Sequence, residues 1–373
     1  MKQSENALKQ PGNRRSFLRT GALAAGATVG AGLLATALPA LGRERHEGGS
    51  LTRGDAAILQ LLLAAEMIET DLWIQYRELG GVEAQNSVSL PYINAISQLD
   101  GDMPQYISDN TDDEISHVAF LRAYLKSKGE EPVDLSRFAH LPPSRVSSVP
   151  QTGRLTNLKQ LSVDTSWWTR YRSAENPDLG ATFPQAIPSL AAGQHPAIPV
   201  TNDDLKADPN GPNGISTHLQ AIANTAGFHF GFIEQAGSSL YATLSQRVTS
   251  AEVLRITIGI GGSEIMHFQV WHDKAGNAVP LTDHQAGGSL TFAKLSDNQP
   301  ESLQANLIMP EPCDFISGLP ECAVIRPTGA GQIDALGAIN GFIADGLFIG
   351  QSNEFIQLIR ELAHEADRAQ REF

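Results

Sequence analysis

The chain has 373 residues, 41% of them hydrophobic and 18% charged, with a formal net charge of −14. That apolar content supports a packed core and excludes a disordered chain. The acidic balance argues against nucleic acid as a partner, because the phosphate backbone repels such a surface.

Asn13-Arg14-Arg15-Ser16-Phe17-Leu18-Arg19 is a twin-arginine pattern, followed by an apolar Ala/Gly-rich run from Gly21 to about Leu41. Ala35-Thr36-Ala37 offers a small-x-small cleavage site. Residues 1–37 are therefore expected to be a signal peptide, cut from a protein exported after folding to the periplasm or beyond. A membrane anchor is the other reading of this run. Cleavage would remove five basic residues and Glu5, leaving 22 basic against 40 acidic residues and a net charge of −18. Downstream, no uncharged apolar run is long enough to span a membrane.

A first helix is predicted from about residue 54 to 79, with Thr52 or Asp55 near its cap and Gly80-Gly81 ending it. Ile58, Leu62, Ala65, Glu66, Glu69, Leu72 and Trp73 fall on its apolar stripe. Residues 81–103 read as a loop with local structure. A second helix, about 104 to 128, carries Glu114 and His117 and stops at Gly129.

Residues 138–214 hold ten prolines and show no sustained periodicity, as a long crossover between two halves of a bundle would. The run containing Trp167, Trp168 and Tyr171 is too aromatic for a free linker. It is expected to pack on the bundle, as structural cover or as a lid over a site. A third helix, about 215 to 245 in one piece or two, carries Phe228, His229, Phe230, Phe232 and Glu234. A fourth opens on Thr249-Ser250-Ala251-Glu252, a capping-box pattern, and runs to Lys274. Gly259, Gly261 and Gly262 precede its Glu264 and His267, to allow close helix packing or a local bulge. Residues 277–331 read as loop with short extended pieces. Residues 352–371 are amphipathic, a fifth helix that covers the bundle or meets another copy of the chain.

Along these helices the order is Glu66, then Glu114-x-x-His117, then Glu234, then Glu264-x-x-His267. Residues i and i+3 of a helix share a face, so each Glu and His pair can point at one ion. The lone glutamates are expected to bridge from the opposite helices. This is the arithmetic of a carboxylate-bridged two-metal site in a four-helix bundle. Oxygen and nitrogen donors of this kind suit Fe or Mn, with Zn possible.

Glu69 faces inward with Glu66, so either could be the ligand of the first helix. Glu66 is preferred, with Trp73 seven residues after it and Tyr241 seven after Glu234. His229 lies five residues before Glu234, roughly 140° round the helix, and is expected to be a solvated or hydrogen-bonded structural residue. Phe230 shares the face of Glu234 and belongs in the core beside the site. A third pair, Glu361 and His364, reads as a solvated face. Cys313 and Cys322 are a candidate disulfide in an oxidising compartment.

Segments 62–73, 113–121, 232–234 and 264–267 resemble the ferritin-like superfamily. Within it the chain is most similar to exported bacterial ferritin-like domain proteins related to the plant desiccation-related proteins. The resemblance covers roughly residues 52–275, the crossover excepted. It implies an all-α fold: an antiparallel four-helix bundle with one long crossover and a C-terminal extension, 276–373, bearing an additional helix. It also implies two Fe or Mn ions held by Glu66, Glu114, His117, Glu234, Glu264 and His267. The activity it suggests is Fe(II) oxidation, or consumption of peroxide or dioxygen. The alternative is a non-catalytic metal-binding or stress-protective protein of the cell envelope. The long crossover and extension are unlike a storage ferritin, so a closed cage is not expected.

Overall fold

Helices form where the sequence sets apolar stripes between capping residues. The structure is a computed structural model that describes residues 50–171, 184–284, 289–295, 310–311, 322–323 and 334–372. Helix α1 (Arg53–Gly80) starts on Thr52, whose Oγ1 accepts from the Asp55 N–H at 3.0 Å. Short α2 (Leu90–Ile96) follows, and then α3 (Met103–Ser127), which stops before Gly129 at φ +83°. Among its described residues the crossover carries two short α-helices, α4 (Ser166–Tyr171) and α5 (Pro188–Ala192). Helix α6 (Thr217–Ser245) is one unbroken piece, capped by Ser216 Oγ. Helix α7 (Ala251–Ala275) completes the four.

Neighbouring bundle helices run antiparallel. Residues 60 and 73 of α1 meet 131, just past α3, and 111 within it; residues 237 and 241 of α6 meet 264 and 261 of α7; and residues 66 and 73 of α1 meet 241 and 234 of α6. The all-α bundle read from the sequence is therefore the fold. None of the described helices is long and apolar enough to cross a membrane.

The cap of α7 falls one residue later than the pattern implies. Ser250 Oγ, not Thr249, accepts from the N–H groups of Glu252 and Val253. The reason is Asp55. Its buried carboxylate accepts from the Thr249 N–H at 2.8 Å and the Ser250 N–H at 2.9 Å, and so ties the starts of α1 and α7 together.

The crossover lies against the bundle. Asp71 on α1 accepts from the backbone N–H and the hydroxyl of Thr156, at 2.9 and 2.7 Å. Trp167 is fully buried against Phe228 and Phe268, and Trp168 stacks on His272 with ring centroids 4.4 Å apart. These contacts make the aromatic run a structural cover.

After α7 come a small hairpin, β1 (Leu281–Asp283) with β2 (Leu290–Phe292), and a second pair, β3 (Pro310–Glu311) with β4 (Cys322–Ala323). Two helices follow, α8 (Ala335–Ala344) and α9 (Asn353–Asp367). The sequence reading leaves α8 unassigned. It is only ten residues long, contains Gly337 and Gly341, and depends on distant partners. Asp367, at the end of α9, accepts from the N–H groups of Ala335 and Leu336 at 2.9 and 3.0 Å. Helix α9 buries Phe355, Ile359 and Ala363 and leaves Glu361 and His364 exposed, so the third Glu/His pair is a solvated face. Residues 1–37 and Cys313 lie outside the described residues, and with them the expected signal peptide and the Cys313–Cys322 bridge.

Replacing Asp55 with alanine takes the acceptor from two part-buried N–H groups at the start of α7. A loss of about 2–4 kcal/mol is expected from hydrogen bonds to a charged acceptor. It would be read as a thermal midpoint several degrees below wild type, and an unchanged midpoint would show that Asp55 is not the tie.

Candidate metal centre

Each bundle helix sends its acidic residue into the space between the four. Two groups of donor atoms result, each with all atoms within 4.8 Å of one another: Glu66, Glu114, His117 and Glu264, and Glu114, Glu234, Glu264 and His267. Glu114 and Glu264 belong to both. The sequence allows the lone glutamates to bridge; in the structure the paired glutamates are the ones common to both donor groups, and Glu66 and Glu234 belong to one group each. Antiparallel geometry is the cause. Helices α3 and α7 face each other, so their glutamates meet in the middle. Each histidine, a turn further along its own helix, falls to the opposite side.

All four carboxylates are buried, Glu114, Glu234 and Glu264 fully. Several donor atoms find no hydrogen-bond partner among the described residues: Glu234 Oε2, both oxygens of Glu264, and His267 Nδ1. His267 Nδ1 lies 3.2 Å from Glu114 and 3.3 Å from Glu234, close enough to attract but misaligned for a hydrogen bond. Leaving such a group unsatisfied costs about 1–3 kcal/mol. Orphaned atoms that are all metal-ligand types, converging on two points, fit a pair of cations.

The two helical hairpins hold each other's ligands. Trp73 of α1 donates its indole N–H to Glu234 of α6 at 3.1 Å, and Tyr241 of α6 donates its hydroxyl to Glu66 of α1. The shared spacing of seven residues is thus a reciprocal hydrogen bond. The histidines are exchanged likewise. His117 Nε2 lies 3.1 Å from Ser263 Oγ, the residue before Glu264. Ser263 gives its own proton to the Ile260 carbonyl at 2.7 Å, so it accepts from His117. His267 Nε2 lies 3.1 Å from the carboxylate of Asp113, the residue before Glu114. In both rings Nε2 is engaged outward, and Nδ1 is the nitrogen that faces the carboxylates. Such outer partners fix ring orientation and raise ligand basicity. Asp113 and Ser263 are not among the residues singled out from sequence, although each directly precedes a ligand glutamate.

Electrostatics reflects four acids in one dry space. Burial raises Glu114 to about 7, and it raises Glu264 well above the carboxylate range, with the charge of Glu114 adding to it. Burial also opposes charge on His117, but the hydrogen bonds and charges of Glu114 and Glu66 outweigh it and lift the imidazole to about 10. The same contest raises His267, chiefly through Glu234 and Asp113. Burial and then the charge of Glu66 keep the Tyr241 phenol protonated, and so a donor.

Glu66, not Glu69, enters the donor groups. Glu69 lies one turn further on, buried, with Oε1 unpartnered among the described residues. Burial, followed by the charges of Glu234, Glu114 and Glu66, pushes its carboxyl well up. His229 stays out of the centre. Burial lowers it to about 3, and its Nδ1 shares a 2.7 Å hydrogen bond with the Tyr76 hydroxyl, itself kept protonated by burial. Phe230 packs among Trp73, Tyr76 and Trp271, with centroids 4.6 to 4.8 Å away, and helps to keep water out.

Two glycines set the helix spacing here. A Cβ on Gly237 would fall 2.6 Å from Glu264 Oε2, and one on Gly261 would fall 2.7 Å from the Tyr241 Cβ. Gly261 therefore serves close packing, whereas Gly259 and Gly262 have nothing within 4 Å, and α7 continues through all three without a break.

A family model described as a ferritin-like domain matches residues 54–277. No curated protein and no solved structure matches the chain.

Two substitutions test the geometry. Asp113→Ala removes the outer partner of His267 alone, so one of two metal-binding steps should weaken by about tenfold, the lower end of such effects. Calorimetric titration would show it, and equal weakening of both steps would contradict the placement. Gly237→Ala should displace the Glu264 carboxylate and lower metal content while the helical circular dichroism stays at wild-type strength.

Proposed function

The chain belongs to the ferritin-like domain family, and from that premise we propose that it is an exported redox protein holding two Fe or Mn ions between its four helices. One observation carries this reading: two groups of four buried donors that share Glu114 and Glu264 and keep several atoms unpartnered. Glu66 and His117 would hold one ion, Glu234 and His267 the other, and the shared carboxylates both. Four carboxylates balance two divalent charges, and two imidazoles complete a donor set suited to Fe or Mn, with Zn possible.

When bound, two such ions supply one electron each to dioxygen or peroxide, and Fe(II) itself is a candidate substrate. The chain's own residues keep the site dry and oriented. Trp73 and Tyr241 hold the outer carboxylates, and Asp113 and Ser263 hold the imidazoles. The twin-arginine pattern at residues 13–19 supports export after folding, so metal can be taken up before the protein leaves the cytoplasm. Metal bound without turnover would favour the alternative, a metal-binding or stress-protective protein of the cell envelope.

The deciding measurement is metal content of the exported protein, expected at about two Fe or Mn per chain, as for two-metal carboxylate bundles. Glu114→Ala should abolish two-ion binding, because it removes a shared ligand, and His267→Ala should spare one position. If either left metal content and turnover unchanged, the assignment would fail.

The pH dependence has a defined sign. Ions must displace protons that His117, raised to about 10, and Glu114, raised to about 7, retain at neutral pH. Affinity should therefore rise with pH across the range in which these groups lose their protons. Calorimetry in buffers of different ionisation enthalpy should record proton release, and a pH-independent affinity would be inconsistent with these ligands.

A further inference from the structure

On the α1 and α6 side of the centre lies a small pocket roofed by α8. Its walls are apolar: Leu61 and Leu72 of α1, Ile233 of α6, and Ala338, Ile339 and Phe342 of α8. Glu69 is the single ionisable group in its lining. The pocket offers about 30 Å³, where one water needs roughly 10–15 Å³. It suits a molecule of two heavy atoms.

The inner end stops at Gly237, beside the carboxylate cluster. Gly237 lines the pocket, and the place where its Cβ would stand is 2.6 Å from Glu264 Oε2. No side chain of residue 237 separates the pocket from a carboxylate that both donor groups share. Glu69 lies beside this point with a buried oxygen unpartnered among the described residues.

We propose that this pocket is the port through which dioxygen reaches the metal pair, with α8 as its outer wall. The proposal rests on the two-metal reading above and narrows its substrate class. Dioxygen has two heavy atoms and asks for no hydrogen bonds. Hydrogen peroxide is of similar size but carries two hydroxyls, and these walls offer one ionisable partner, Glu69. An unsatisfied buried hydroxyl is penalised by about 1–3 kcal/mol. A hydrated cation is excluded more strongly, because an apolar passage strips its water without replacing it. Metal and dioxygen therefore take different routes. The roof also lies beyond the family-matched region, since α8 begins at Ala335 and the match ends at residue 277.

Xenon, an apolar atom that enters dioxygen-sized cavities, reads the pocket without any metal. Crystals of the mature chain under xenon pressure should show an atom between Leu72 and Ile339. Ala338→Val adds two heavy atoms and should fill the space and abolish the xenon peak, and Phe342→Ala should enlarge the space and raise xenon occupancy. Neither residue is a metal donor. In metal-loaded protein, Ala338→Val should slow oxidation by dioxygen severalfold, with metal content and peroxide-driven oxidation unchanged. No xenon in the wild-type pocket would overturn the proposal, as would an unchanged dioxygen rate in Ala338→Val. Equal slowing with peroxide would overturn the choice of dioxygen. Metal content is read separately, so a chain that binds no metal sinks the two-metal reading by its own measurement.

Discussion

Four carboxylates brought within one dry space repel one another and lose their water, and the rest of the bundle is arranged to tolerate this. Burial, with the charges of neighbouring carboxylates adding to it, raises Glu114, Glu264 and Glu69 toward the neutral form. Two imidazoles are drawn the other way and become better bases. The arrangement favours positive charge at two points and rewards whatever supplies it, proton or metal. A core of aliphatic residues of equal volume would be simpler to fold. Groups this costly are retained where they have chemical work to do, the general logic of strongly perturbed acids in enclosed sites.

Long-range exchange between the hairpins turns this unstable cluster into a defined one. Each outer carboxylate takes a hydrogen bond from an aromatic residue of the other hairpin, and each imidazole leans on the residue that precedes the other hairpin's glutamate. The exchange is symmetric in position and unequal in chemistry. Indole faces phenol, and a carboxylate faces a hydroxyl. The Asp113 side carries an extra negative charge near its imidazole, so the two donor groups differ in basicity although they share two carboxylates.

Much of this was legible in the sequence because helical geometry is local. The i to i+3 spacing places Glu114 with His117 and Glu264 with His267, and the apolar stripe of α1 orients Glu66 inward. The matched spacing of Trp73 and Tyr241 hinted at related halves. Which carboxylates are shared was not legible, because that depends on how α3 and α7 face each other across some 150 residues of chain. Nor was the role of Asp55, which shifts the α7 cap from Thr249 to Ser250 through a contact 194 residues away. Helix α8 escaped for the same reason: its start is held by Asp367, not by a periodic pattern of its own.

The reciprocal bonds also govern when in the life of the chain the centre can exist. The partners are separated by 161 residues for Trp73 and Glu234, and by 175 for Glu66 and Tyr241. A nascent chain that has released only α1 and α3 has half the donors and lacks the outer partners of those it has, Tyr241 for Glu66 and Ser263 for His117. The full donor set becomes available only after residue 267 is free of the ribosome and the second hairpin has docked. The donor cluster is therefore complete only late in assembly, once the whole bundle, and not either half, has reached its final form.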